Sequence, residues 1–178
     1  MSIIPEKELR IELLNPLHDL SDFDSGNEEL NDFLKNDSIR DQRNLISKTH
    51  LCFWKNHLAG FITLAADSVQ VKRIDRSDYM NGYRYSVYPC LLIGRLAVDS
   101  RFQRSGVGNF LLLLALGLAI DGPIGCRYLS VDSKVNAVTF YQDAGFRFME
   151  KQASKQYPRM YLNVYKIIEK IRQKDPSK

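Results

Sequence analysis

The sequence Gln103-Arg104-Ser105-Gly106-Val107-Gly108 joins an apolar strand pattern to an apolar helix pattern, and this junction decides the fold. Residues 91–98 are almost continuously apolar, as in a central strand that is covered on both faces. Residues 107–120 form an apolar helix pattern that Asp121-Gly122-Pro123 ends. Such a turn directs successive backbone N–H groups, and the positive end of the helix dipole, at one point. The junction therefore predicts a phosphate-binding loop.

The glycines of this loop favour a phosphate ligand, and its other residues exclude two common phosphate sites. Gly106 and Gly108 allow the backbone to approach a phosphate without an intervening Cβ atom, and Arg101 and Arg104 add positive charge. The G-x-G-x-x-G pattern of dinucleotide-binding folds is absent, as is the Gly-Lys-Ser/Thr of the P-loop. The alternative is a glycine-bearing helix start that binds no ligand.

Outward from the loop, the hydrophobic pattern predicts a mixed α/β protein. Apolar runs predict strands at residues 11–14, 49–54, 58–66, 91–98, 128–131, 147–150 and 160–165. Helical spacing predicts helices at residues 25–43, 107–120 and 135–144. Ser25 with Glu28 has capping-box spacing, and Gly145 is placed to end the third helix. This order predicts a central mixed, partly parallel sheet flanked by helices.

The chain of 178 residues is long enough for one domain with a substantial core. We expect a single domain over residues 1–178, with a core at about 9–165 and a basic C-terminal tail at 166–178. Residues 67–88 are polar and rich in tyrosine, and they receive no assignment. Residues 110–120 are apolar but shorter than the roughly 20 residues that span a bilayer. No membrane association or signal peptide is expected.

Charge and cysteine usage limit the location and the partners. The net charge is +4, but residues 1–32 carry nine acidic and two basic residues, so the remainder carries +11. A basic body attracts phosphate-bearing partners, and the alternative is an ordinary solvated surface. Cys52, Cys90 and Cys126 are odd in number and lack metal-ligand spacing, which predicts reduced thiols in a cytoplasmic protein without a metal site.

Three motifs around the loop carry a family resemblance. The Gln103–Gly108 sequence resembles the coenzyme A signature of the GNAT superfamily of N-acetyltransferases. The preceding Gly94-Arg95-Leu96-Ala97-Val98-Asp99 resembles the strand before that signature. The later Ala137-Val138-Thr139-Phe140-Tyr141-Gln142-Asp143-Ala144-Gly145-Phe146 resembles the helix that follows it. The order and spacing of the three match over residues 9–165.

The resemblance implies an acetyl-CoA-dependent enzyme with a splayed sheet. Pantetheine would lie between the strand that ends at Val98 and the strand at Tyr128. Backbone groups of Leu96, Ala97 and Val98 would pair with pantetheine. Backbone N–H groups of Gln103, Arg104, Ser105, Gly106, Val107 and Gly108 would hold the pyrophosphate. An amine would then attack the thioester directly.

Tyr141 is the predicted catalytic residue, because a phenol can donate a proton to the thiolate that leaves. The alternative is that Tyr141 is a core aromatic residue. Many family members carry asparagine at the position of Lys134, so a pantetheine contact is assigned here only to the nearby Asn136. No general base is identified. An α-amino group, with a pKa of about 8, needs less help than a lysine side chain.

The acceptor is predicted from a closer resemblance to the toxin branch of toxin–antitoxin pairs, which acetylates the α-amino group of aminoacyl-tRNA. The likeness lies in the opening Phe23-Asp24-Ser25-Gly26-Asn27 and in the strand end before Gln103. The implied partners are tRNA, an antitoxin and a second copy in a homodimer. Candidate tRNA contacts are Lys72, Arg73, Arg84, Arg147, Lys151, Lys155 and Arg159.

Three alternatives remain open at this stage. The acceptor could instead be a protein N-terminus, a lysine or a small amine. The chain could be a non-catalytic acyl-CoA-sensing module. Transfer could also pass through an acyl-enzyme at Cys90. Sequence-specific DNA binding is not expected, because no helix presents base-reading side chains.

Overall fold

The structure is a computed structural model that describes residues 2–150 and 155–174. The strands are β1 (Leu9–Leu13), β2 (Lys48–Trp54), β3 (His57–Gln70), β4 (Val87–Val98), β5 (Tyr128–Asp132), β6 (Arg147–Phe148) and β7 (Arg159–Asn163). The α-helices are α1 (Glu28–Asp32), α2 (Ser38–Arg43), α3 (Val107–Asp121), α4 (Val138–Asp143) and α5 (Val164–Lys174). The strand order is β1-β2-β3-β4-β5-β7-β6, and the predicted mixed α/β class is confirmed.

The chain divides into two compact units by its internal contacts. The first unit comprises the residues up to Ala65 and Ile93–Leu114, and the second comprises Ala66–Leu92 and the residues from Ala115 onward. Strands β3 and β4 and helix α3 contribute to both units. A single domain over residues 1–178 stays a prediction.

In the first unit, antiparallel strands form a surface on which the N-terminal helices pack. β1 pairs with β2 from Leu9 opposite Trp54 to Leu13 opposite His50, and β2 pairs with β3. Side chains that leave this surface meet those of α1 and α2, because the helices present an apolar face to it. The buried cluster that results contains Leu14, Phe23, Phe33, Leu34, Leu51, Leu58, Phe61 and Ala97.

The N-terminal helix differs from its prediction in its cap and its continuity. Asn27 caps α1, since its side chain accepts the N–H of Leu30 at 3.2 Å. Ser25, the predicted cap, instead donates its hydroxyl to Asn31 at 2.8 Å, so the capping-box prediction is wrong. The predicted continuous helix contains a π-helical turn, Phe33–Asp37, between α1 and α2. Such turns change which side chains face the core.

In the second unit, the tyrosines of the unassigned segment 67–88 contribute to the core. β3 continues to Gln70, two short 3-10 turns follow, and β4 begins at Val87. Tyr88 is buried and stacks on Tyr83 with the ring centroids 4.3 Å apart. Tyr88 also meets Tyr128 at 5.2 Å, and Tyr128 meets Tyr161 at 5.8 Å. Phenol rings contribute a large buried area while their hydroxyl groups find polar partners.

One of those partners is the buried side chain of Asp78, in the second 3-10 turn. Its carboxylate accepts hydrogen bonds from Arg147 Nη1 (2.9 Å), Tyr161 Oη (2.7 Å), Asn163 Nδ2 (3.0 Å) and Lys166 Nζ (2.8 Å). The Tyr128 hydroxyl donates to the main-chain oxygen of the same residue at 2.6 Å. Burial alone would raise the pKa of Asp78, but these hydrogen bonds outweigh it and the pKa is lowered. The segment is thereby fastened to β5, β7 and α5.

The C-terminal segment is helical where a basic tail was predicted. β7 ends at Asn163, whose side chain accepts the N–H of Lys166 at 3.1 Å and so caps α5. Apolar residues recur at helical spacing among the lysines, at Val164, Ile167, Ile168 and Ile171. The sequence analysis did not predict this helix, because basic residues are interspersed with its apolar residues. Residues 175–178 of the predicted tail lie outside the described residues.

Candidate functional site

The loop before α3 presents a group of unpaired backbone N–H donors. The first regular helical hydrogen bond runs from Phe110 N–H to the Gly106 oxygen at 3.0 Å. Within the described parts of the chain, the N–H groups of residues 106–109 bond no acceptor. Helix starts leave such groups free, and the helix dipole favours a negative ligand there. This arrangement can bind a phosphate.

Two residues of the loop have a left-handed backbone conformation. Gly106 has a φ of +94° and Arg104 a φ of +61°. Alternation between right- and left-handed residues makes the concave anion site that successive N–H groups form in a nest. For Arg104 this conformation carries a strain of about 1–3 kcal/mol, and such strain is concentrated at ligand sites.

The side chains of Gln103 and Ser105 serve the loop itself. Gln103 Nε2 donates to the main-chain oxygens of Ser25 (2.9 Å) and Val98 (3.2 Å). The Ser105 hydroxyl is buried and donates to the Phe102 oxygen at 2.5 Å. The Ser105 N–H also donates to the Phe102 oxygen, at 3.4 Å. Phosphate contact by Gln103 would thus fall to its main chain, and the contacts of both residues with a phosphate stay predictions.

A buried carboxylate, Asp99, ties the loop to the N-terminal segment. Its oxygens accept the N–H of Asp24 (3.1 Å), the N–H of Arg101 (3.0 Å) and two guanidinium bonds from Arg101 (2.8 and 3.0 Å). Ser100 N–H donates to the Asp24 oxygen at 2.8 Å. Burial alone would raise the pKa of Asp99, but these hydrogen bonds outweigh it and lower the pKa. Asp99 therefore has a positioning role. The sequence analysis did not predict this role, although it quoted both segments that Asp99 joins.

We expect Gly106→Ala to raise the KM for the phosphate-bearing donor by about 10-fold, because L-residues rarely adopt a φ of +94°. A Cβ atom there has space, with Ile3 Cγ2 at 3.5 Å, so the effect is conformational rather than steric. The matched control is Gly117→Ala in α3, where a Cβ atom meets nothing within 4 Å. Steady-state kinetics measure both variants, and equal KM values for the two would contradict the expectation.

The last three residues of β4, which precede the loop, differ in burial. Ala97 is buried in the cluster of the first unit, whereas Leu96 and Val98 are partly buried. The Asp99 N–H donates to the Ala59 oxygen at 2.9 Å, which fixes the end of β4 on β3. The backbone role of Leu96, Ala97 and Val98 toward pantetheine stays a prediction.

Tyr141 lies in α4 of the second unit, and its ring is buried. The ring contacts Phe140 and Phe146 with centroids 5.1 Å and 5.4 Å apart. Gly145, at a φ of +91°, ends the helix as predicted, and Phe146 N–H donates to the Tyr141 oxygen at 2.9 Å. The Tyr141 hydroxyl has no hydrogen-bond partner among the described residues, and burial raises its pKa. The phenol thus stays protonated and keeps its donor free.

Asn136 is exposed in the 3-10 turn that precedes α4, and nothing in the structure assigns it a ligand. Two acidic residues, in β3 and β5, lie in ion pairs. Asp67 accepts the Ser130 hydroxyl at 2.7 Å and pairs with Arg159, and Asp132 lies 3.9 Å from the same arginine. In the described residues, no group of three His, Cys, Asp or Glu could hold a metal ion.

Comparison with known proteins identifies the class. The family described as "Acetyltransferase (GNAT) domain" matches residues 19–160. This match covers most of the chain, so the protein belongs to the GNAT acetyltransferase family and is an acetyltransferase.

Individual relatives are toxins. Over 115 residues the chain is 29% identical to a "tRNA-acetylating toxin" of Mycobacterium tuberculosis, covering 64% of this chain and 68% of the relative. The solved structure of AtaT complexed with acetyl-methionyl-tRNAfMet has a TM-score of 0.80 at 24% identity, covering 92% and 99% of the two chains. AtaTR bound with AcCoA has a TM-score of 0.75 at 25% identity, covering 93% and 99%. No helix in the described part of this chain is long and apolar enough to cross a membrane.

Proposed function

We propose that this protein is a toxin that transfers acetyl from acetyl-CoA to the α-amino group of aminoacyl-tRNA. The choice of acetyl-CoA as the donor rests on the unpaired N–H groups of residues 106–109, because such a group of donors suits a pyrophosphate. A relative that was solved with AcCoA supports the same donor, and a relative named a tRNA-acetylating toxin supports the acceptor. By the same likeness to AtaT bound to AtaR, we include an antitoxin among the partners.

The proposed reaction is a direct transfer with Tyr141 as the proton donor. The neutral α-amine attacks the thioester carbonyl, a C–N bond forms, and the C–S bond breaks. Tyr141 donates its proton to the sulfur as negative charge develops there. The nitrogen loses a proton to solvent, and solvent returns one proton to the Tyr141 phenolate, so that the enzyme ends unchanged. Its unpartnered hydroxyl, whose pKa burial raises, supports this assignment.

The structure disfavours an acyl-enzyme at Cys90. This thiol is buried, and burial raises its pKa to about 12. The thiolate is the nucleophilic form of cysteine, so at neutral pH Cys90 is almost entirely in its inert form.

The basic surface proposed for tRNA is smaller than the sequence suggested. Arg147 pairs with Asp75 and Asp78, and Arg159 pairs with Asp67, so both are engaged within the second unit. Lys151 lies outside the described residues. The candidates that remain are Lys72, Arg73, Arg84 and Lys155.

The proposal also includes a homodimer and a cytoplasmic location. The free cysteines agree with the cytoplasm, where thiols are kept reduced.

The deciding experiment supplies labelled acetyl-CoA and purified protein with aminoacyl-tRNA, with the same tRNA deacylated, and with a polyamine or peptide. We expect label only on the aminoacyl group of charged tRNA. Rapid turnover of the polyamine or peptide with none of charged tRNA would support the alternative acceptors. Tight acetyl-CoA binding without turnover of any amine would support a sensing module.

A further inference from the structure

Arg95 is a partly buried arginine on β4 whose hydrogen-bonding capacity is largely unused. Its guanidinium carbon lies 5.0 Å from the ring centroid of Phe33, in the first unit. Nη1 donates to the Gly94 oxygen at 2.8 Å. The Nε atom is buried and has no hydrogen-bond partner among the described residues. Of the five N–H donors of a guanidinium, this part of the chain therefore binds one.

The charge of Arg95 is also unpaired. Among the described residues no carboxylate lies within ion-pair distance of it, whereas Arg10, Arg40 and Arg101 of the same unit each have an acidic partner. A buried donor without a partner costs free energy in the unliganded protein, and such exceptions call for an explanation. A ligand that accepts hydrogen bonds would recover that free energy. The contact with Phe33 limits the motion of the guanidinium, and the fork of a guanidinium suits a bidentate acceptor.

The position of Arg95 connects it with the acceptor, a step that rests on the proposed function. The phosphate loop follows the C-terminal end of β4. With pantetheine paired to Leu96, Ala97 and Val98 as predicted, a donor held by the loop would extend its acyl end back along β4 from Val98 toward Leu96. Arg95 is the next residue in that direction. The amine that attacks the thioester must arrive at this end of the donor, and the groups attached to the amine arrive with it.

We propose that Arg95 binds a backbone phosphate close to the aminoacyl end of the acceptor tRNA. A phosphate matches both the charge and the fork of donors, and arginine forms bidentate bonds with phosphate. The only other described arginine with an unpartnered buried Nε is Arg127. Its guanidinium lies over three rings, those of Tyr88, Tyr128 and Tyr165, whereas that of Arg95 lies over one, so aromatic faces compensate the charge of Arg127 more fully.

The test compares Arg95→Met with Arg40→Met on two acceptors, an aminoacyl-tRNA and an amino acid methyl ester that carries the same α-amine without phosphate. Arg40 is exposed on α2, so its replacement removes the same charge elsewhere. We expect Arg95→Met to raise the KM for aminoacyl-tRNA by 10-fold or more and to leave the KM values for the ester and acetyl-CoA unchanged. The slope of log affinity against log salt should fall by about 0.7, the value for one lost phosphate contact.

Arg95→Lys keeps the charge without the fork, and we expect an intermediate KM with an unchanged salt slope. Thermal unfolding of each variant controls for folding. An unchanged KM for aminoacyl-tRNA in Arg95→Met, or an equal rise for the ester, overturns the Arg95 proposal alone. Failure of the wild-type protein to acetylate any aminoacyl-tRNA overturns the proposed function, and this subsite with it.

Discussion

Tyr141→Phe is expected to lower kcat by about 100-fold to 10,000-fold while the KM for acetyl-CoA changes little. This is the range by which proton transfer from a positioned side chain accelerates a reaction. The substitution removes one oxygen atom and keeps the ring that packs against Phe140 and Phe146. The hydroxyl has no partner among the described residues, so its removal leaves no protein group unsatisfied. Folding should therefore be preserved.

The control for this variant is Tyr85→Phe, which removes the same atom from an exposed ring. Its kcat should equal that of the wild type. Because burial raises the pKa of Tyr141, the phenol stays protonated across the neutral range, and kcat should not decline through its ionisation below about pH 10. A kcat for Tyr141→Phe within twofold of the wild type would return Tyr141 to a purely structural role.

Asp78→Asn is expected to lower the free energy of unfolding at pH 7 by about 3 kcal/mol. Removal of one partner from a buried ionic network leaves the others uncompensated, at a cost of about 3–5 kcal/mol. The lower end applies because Arg147 and Lys166 are about half exposed, at 51% and 42% of their side-chain area. For a chain of this size, the melting temperature should fall by about 6–12 °C.

The matched control is Asp75→Asn, which also removes a carboxylate bonded to Arg147 but from a side chain that is 48% exposed. Its effect on the free energy of unfolding should be much smaller than that of Asp78→Asn, because solvent screens an exposed ion pair. Chemical denaturation of both variants measures the difference. Equal losses would show that the buried network does not hold the second unit together.

The effect of Asp78→Asn should also depend on pH, with a sign that follows from the lowered pKa of Asp78. The ionised carboxylate contributes stability above its unfolded pKa of about 3.9, and that contribution disappears as the pH falls through the folded value. The stability difference between wild type and Asp78→Asn should therefore be constant near neutrality and shrink below about pH 4. Persistence of the full difference at pH 2 would contradict this assignment.

Sequence patterns predicted the elements that carry strong periodicity and the loop that follows β4. The apolar runs of β4 and α3 were located to within a few residues, because burial on all sides leaves a continuous hydrophobic pattern. Gly145 was also predicted correctly as the end of a helix, since a positive φ strongly favours glycine. Gly106 was predicted only as a position of close backbone approach, and the structure adds its positive φ. The coenzyme A signature required no tertiary information, because its N–H donors belong to consecutive residues.

Tertiary structure decided the features that depend on residues far apart in the chain. Ser25 was predicted to cap α1, but its hydroxyl bonds Asn31 and leaves the cap to Asn27, because several short side chains compete for the same donors. The segment 67–88 has no periodicity of its own. It is held by Asp78, whose carboxylate partners lie far along the sequence, between Arg147 and Lys166.

The sequence by itself thus determined the mixed α/β class, the phosphate loop and the family, since each of these depends on local spacing that a fold cannot change. Only the tertiary structure decided which polar side chains are already engaged and which remain free. Gln103 and Asp99 prove to hold the loop, whereas the Nε of Arg95 and the hydroxyl of Tyr141 lack hydrogen-bond partners among the described residues. The physical reason is that a hydrogen-bonding group is satisfied or left unsatisfied by whatever surrounds it in three dimensions, and those neighbours are not encoded in local sequence.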